Sequence, residues 1–248
     1  MRDDGITVGA IAIIAMCVAT AAHEALGHGS ACLLLGGRVT LLTSVYFRCA
    51  VESRLVSPAG PLGNLVAGIA GWAALRLFPA SWPRRKLFAL LVVAFSFFWA
   101  FGYLVTSLAT GNGDYAITLR DFPGNRGALW NTAGIAVGAV LYLIFSRMLA
   151  SAAARLFGER ATRLLQTAWI AATVAAVAAA ALYAPGRNGA MLQAGLEIGA
   201  ASVPLLIPRR QAAGAGELPP IARGAGWIAA AVIVFAAFAL TLGVGYTS

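Results

Sequence analysis

The chain has 248 residues, of which 60% are hydrophobic and 11% charged. Ordinary soluble domains carry about a quarter charged residues, so a water-solvated fold cannot hide this much apolar surface and lipid must solvate part of it. The net charge is +9, from 18 basic against 9 acidic residues; the basic residues fall mainly between apolar runs, where topology and anionic headgroups account for them, and no aromatic-basic stripe points to nucleic acid.

In lipid, only helices or closed barrels satisfy their own backbone. The Ala, Leu and Val runs are continuous and lack the alternation of barrel strands, so the expected fold is all-α. It is a single polytopic transmembrane helix bundle over residues 1–248, with six or seven spans of about 20 residues. The first span is Ile6–Leu35, ending at Gly36-Gly37. It outruns a signal-peptide core, follows Asp3 and Asp4, and carries His and Glu, so it is read as a span. Arg38–Arg54 holds the β-prone stretch Val39–Phe47, either a surface loop or a hairpin at the membrane face. The second span is Leu55–Phe78, stopped by Pro79 and Pro83, and the third is Lys86–Thr110, ending at Gly111. The fourth and fifth are Ala128–Leu149 and Leu164–Ala184; the sixth, Met191–Ile207, is short and carries Gln193 and Glu197. Gln211–Arg223 reads as a flexible loop before the seventh span, Gly226–Tyr246. Residues 6–115 form the expected catalytic core and 128–246 the accessory spans.

With seven spans, Arg38, Arg48, Arg54, Arg120, Arg126 and Arg187 fall opposite the N-terminus, and the other 12 of the 18 basic residues fall on its side. Positive charge inside then puts the N-terminus in the cytoplasm. If Met191–Ile207 does not cross, three arginines change sides and the split is even. The cysteines Cys17, Cys32 and Cys49 lack CxxC spacing and are odd in number, so no complete disulfide framework is expected. Cys17 and Cys32 read as core residues, Cys32 on the face of His28.

The chemistry concentrates in His23-Glu24-Ala25-Leu26-Gly27-His28, inside the first span and holding the only two histidines. Ionisable groups in a span face the protein interior, water or a partner. One reading is polar glue between helices. The other is a metal site, because two imidazoles and a carboxylate are the set a zinc hydrolase needs. Zinc-protease helices place their histidines at i and i+4. Here they stand at i and i+5, about 140° apart on a regular helix. A π-bulge would bring them together, eased by Gly27; a straight helix would pair Glu24 with His28 instead. A third ligand comes from Asp114, just past the third span, or from Glu197. Span order brings Asp114, both histidines and the start of the second span to one membrane face, which favours Asp114.

The inserted residue resembles the HELLGH motif of the dipeptidyl peptidase III family, over six residues only. The order of motifs resembles the site-2 protease family of intramembrane zinc metalloproteases, peptidase family M50, over about Ile6–Tyr115. The similar elements are His23–His28 for HExxH, Gly60-Pro61-Leu62-Gly63-Asn64 for GPxxN, and Gly113-Asp114 for the Gly/Asp turn. The resemblance implies Zn2+ held by His23, His28 and Asp114, Glu24 as general base, and Asn64 holding substrate or the oxyanion. Val39–Phe47 is similar in position to that family's membrane-associated β-element. Family members often set the site toward the cytosol, whereas the arginine distribution puts this one on the outer side.

The expected function is hydrolysis of peptide bonds in a membrane protein or peptide substrate, at the lipid bilayer, by a multi-pass protein of the bacterial cytoplasmic membrane. Two alternatives stay open: a catalytically silent membrane metal-binding protein, and an ion or proton transporter using His, Glu and Asp.

Overall fold

The computed structural model describes residues 3–51, 53–120, 127–207 and 218–247. Helix α1 runs over Gly5–Leu34. Asp4 starts it, accepting from the Thr7 amide at 2.8 Å and the Thr7 hydroxyl at 2.7 Å, which satisfies donors that a helix start otherwise leaves free. The chain turns at Gly36, whose φ of +73° suits a residue without Cβ.

Strands β1 (Val39–Leu42) and β2 (Phe47–Cys49) then form an antiparallel hairpin. Its turn is tied by Thr43 Oγ1, which accepts from the amides of Val45 and Tyr46. Helices α2 (Val56–Leu77), α3 (Pro83–Thr110) and the short α4 (Asp114–Arg120) follow. Pro83 opens α3 where its missing N–H costs nothing. Next come α5 (Ala128–Phe157), α6 (Ala161–Ala180) and α7 (Arg187–Ala194). The last helix, α8, is Ala225–Gly243. It is shorter than the seventh expected span, because Gly245 at φ +85° turns the chain back. Tyr246–Thr247 becomes strand β3, paired antiparallel to β1 in the order β2-β1-β3.

Among the described residues, four helical stretches are long and apolar enough to cross a membrane: Gly5–Leu34, Pro83–Thr110, Ala128–Ala180 and Ala225–Gly243. The third is two helices divided at Gly158–Arg160, so α5 runs eight residues past the expected end at Leu149. Helix α2 has the length but carries Pro58, Pro61, Asn64 and four glycines. The expected sixth span is a broken segment: α7, a π turn at Gly195–Ala200 and a 3-10 turn at Val203–Leu206. Residues 211–217 of the expected loop lie outside the described residues, as do Arg2, Arg126, Arg209 and Arg210.

Helices α1 and α3 lie in the middle, burying Ile11, Met16, Phe95, Phe98 and Trp99. The outer helices turn large apolar side chains outward: Val137, Val140 and Leu143 on α5, Val232 and Ile233 on α8. A belt of this kind is what lipid covers. At the N-terminal end of the bundle, Arg160 pairs with Asp3 at 2.7 Å, and Arg84 donates to the carbonyls of Ala222 and Arg223. The three-stranded sheet stands at the other end.

Cys32 is buried, as expected of a core residue, and it also forms a disulfide with Cys49 that the sequence reading did not foresee, tying the end of α1 to β2. The odd cysteine count concealed a single pair, and Cys17 is the buried free thiol.

Candidate metal centre

Across Ala22–Gly29 helix α1 opens into a π turn. Hydrogen bonds that close from i to i+5 stack residues five apart, one above the other. The imidazoles of His23 and His28 therefore meet, with ring centroids 4.9 Å apart and planes at 77°. The straight-helix pairing of Glu24 with His28 is not adopted.

The turn is held open by close packing of α2. A Cβ on Gly27 would stand 2.5 Å from the Ala59 carbonyl oxygen, and one on Gly63 would stand 2.1 Å from that of Ala22. A Cβ on Gly60 would lie 2.2 Å from His28 Nε2 and 2.7 Å from His23 Nε2. Gly27 therefore does more than ease a distortion. Together with Gly60 and Gly63 it lets two backbones touch beside the imidazoles.

Asp114 completes the cluster. The chain leaves α3 through two left-handed glycines, Gly111 (φ +69°) and Gly113 (φ +87°), and starts α4 at Asp114. Its amide donates to the Tyr103 hydroxyl at 3.2 Å. Its Oδ2 lies 3.1 Å from His23 Nε2 and 3.2 Å from His28 Nε2. Burial works to raise this carboxyl, but the hydrogen bonds and charge of the two imidazoles outweigh it and hold it at about 2.

Second contacts orient the rings. His28 Nδ1 lies 2.7 Å from the Val56 carbonyl, which only accepts, so Nδ1 carries the proton. The Nε2 lone pair of a neutral His28 then faces a carboxylate oxygen at 3.2 Å. Two such lone pairs repel unless a proton or a metal cation lies between them. Asn64, fully buried, sets its amide 3.0 Å from His23 Nδ1. His23 also stacks on Trp99 at 4.4 Å, and His28 on Phe47 at 5.2 Å.

The fit to a metal follows from the donors. A tetrahedral zinc with bonds of about 2.0–2.1 Å sets its ligand atoms roughly 3.3 Å apart. The two imidazole-to-carboxylate separations are within a few tenths of that, and all three ligand atoms lie within 4.8 Å of one another. Among the described residues this is the one such group.

Glu24 is buried, and its Oε2 has no hydrogen-bond partner among the described residues. It lines a cavity of about 500 Å3 together with His23, His28 and Asp114. Glu197 lines the same cavity, accepting from Gln193 at 2.7 Å, but stands outside the group of three. A larger cavity of about 1100 Å3 shares Phe47, Tyr103, Asp114 and Glu197 and continues along Tyr142 and Leu196. Asn64 lines neither cavity; it stands at the opposite ring nitrogen of His23. Sequence reasoning missed Trp99, Tyr103, Phe47 and the Val56 carbonyl, none of which sits in a motif. The sole signal was the bulk of the aromatics near the expected site face.

No protein family, curated protein or solved structure matched the chain.

Proposed function

We propose that the chain is a multi-pass, seven-crossing protein of the bacterial cytoplasmic membrane and an intramembrane zinc metalloprotease of the site-2 protease type. The observation that carries this reading is the meeting of His23, His28 and Asp114 in one cavity with Glu24, whose Oε2 has no hydrogen-bond partner among the described residues. His23 Nε2, His28 Nε2 and an Asp114 oxygen would hold the metal. Bound zinc supplies Lewis acidity, which acidifies water and polarises a carbonyl.

The protein's own groups do the rest. Glu24 takes the proton of the attacking water and hands it to the leaving amine. Val56 fixes the tautomer of His28. Asn64 does the same for His23 when its amide is turned so that Oδ1, otherwise buried without a partner, accepts the Nδ1 proton. The edge of β2, which pairs with no further strand among the described residues, lies at the cavity with Phe47 and suits an extended backbone. The larger cavity, mostly apolar in its lining, receives substrate side chains.

Glu24→Gln tests the mechanism. In cells co-expressing a panel of single-span membrane proteins, the variant retains zinc and loses cleavage by a factor of about 10²–10⁴. Undiminished cleavage of a matched substrate would remove the protease reading. Zinc retained with no cleavage by the wild type across the panel would favour the silent metal-binding alternative.

A further inference from the structure

A disulfide and a set of cations stand at opposite ends of the bundle. Cys32 lies four residues beyond His28, and Cys49 closes β2 two residues beyond Phe47, the ring stacked on His28. The surrounding chain is shaped to this bond. Gly37 donates to the Cys32 carbonyl at 2.9 Å, and a Cβ there would lie 2.6 Å from Cys49 Sγ and 3.0 Å from Cys32 Sγ. Disulfides persist in oxidising compartments and are rare in the cytosol.

The other end carries more of the cations, although Arg48 and Arg54 line the metal-site cavity. Arg160 binds Asp3, Arg84 binds the chain at Ala222 and Arg223, and Lys86 donates to the Leu75 carbonyl. Cations gather on the cytoplasmic side of membrane proteins. The two ends are separated by the membrane's thickness: Cys32 stands about 40 Å along α1 from Gly5, against about 30 Å of hydrocarbon. The broken segment 187–206 also runs end to end. A Cβ on Gly189 would stand 3.0 Å from the Tyr46 hydroxyl of the hairpin, while the Leu206 carbonyl accepts from Gln166, near the start of α6. That keeps Arg223 at the basic end.

From these two independent signs we propose that the metal centre opens on the oxidising, extracytoplasmic side of the membrane, and that its substrates are chain segments presented there. The sidedness stands without the protease reading; the substrate class rests on it. The disulfide then clamps the hairpin over the imidazoles in the compartment where the bond is stable.

Cysteine accessibility in intact cells tests this on the full chain. Asn188→Cys places an exposed thiol at the site end and Ser81→Cys one at the basic end. A membrane-impermeant maleimide labels Asn188→Cys at least ten times more strongly than Ser81→Cys, and permeabilisation equalises them. In the wild type, acid-quenched cells yield Cys32 and Cys49 as a disulfide. Labelling of Ser81→Cys from outside, or recovery of Cys32 and Cys49 as free thiols, overturns the proposal. Because neither readout uses zinc or cleavage, a negative result with Glu24→Gln leaves this outcome separately decidable.

Discussion

At the scale of single residues, the centre depends on what is missing as much as on what is present. Gly60 faces both Nε2 atoms at a distance where a methyl group would collide. Gly60→Ala is expected to lower zinc affinity by a factor of about 10–100, as loss of a supporting contact does, measured by competition with a chelator. Asn64 offers a finer separation. Asn64→Asp keeps an acceptor at His23 Nδ1 and retains zinc, whereas Asn64→Leu loses about 10–100-fold in affinity. If both variants bound zinc like the wild type, Asn64 would not be holding the ring. His23, Glu24 and His28 were legible in the sequence because ionisable groups are conspicuous in an apolar run, and Asp114 because span order brings it to the same face. The orienting contacts were not. A backbone carbonyl at Val56 carries no residue-type signal and the indole of Trp99 none beyond its bulk, so distance in three dimensions decides their role.

At the scale of elements, the π turn reconciles a five-residue spacing with a shared ligand position. The histidine spacing pointed to it, with a straight helix pairing Glu24 and His28 as the alternative, so it was partly legible in advance. A π-bulge absorbs one extra residue and leaves the flanking α-helix in phase. Deleting Ala25 should therefore leave zinc stoichiometry near that of the wild type and keep the Cys32–Cys49 bond. Inserting one alanine after Ala25 should abolish zinc binding, and metal analysis of the two purified variants checks the pair. The hairpin was readable from β-branched residues near Val39–Phe47, but β3 was not, since two residues after an apolar helix give no strand pattern. The disulfide was hidden for a related reason: Cys49 lies 17 positions after Cys32, and spacing of that kind does not define a pair.

At the scale of the whole molecule, composition pointed to a fold solvated by lipid and the continuous apolar runs to helices, and the four apolar stretches of sufficient length among the described residues accord with it. The number of crossings was harder to read, because α2 and the segment 187–206 dilute their apolar runs with Gly, Pro and polar residues beside the cavities. A metal at this site would couple to the fold. The candidate ligands come from α1 and from the start of α4, 86 residues past His28, so a metal bound to the native state would stabilise the whole bundle. Zinc at 100 times its dissociation constant adds about 2.7 kcal/mol. In detergent, zinc should raise the melting temperature of the wild type and leave that of Asp114→Asn unchanged.

The central claim is that His23, His28 and Asp114 form one zinc centre, and X-ray absorption at the zinc edge on the purified protein tests it most directly. The account predicts about one zinc per chain, with two imidazole nitrogens and a carboxylate oxygen at about 2.0–2.2 Å, and loss of the metal in His28→Ala and in Asp114→Asn. A protein that binds no stoichiometric zinc, or a zinc shell without imidazole, would contradict it.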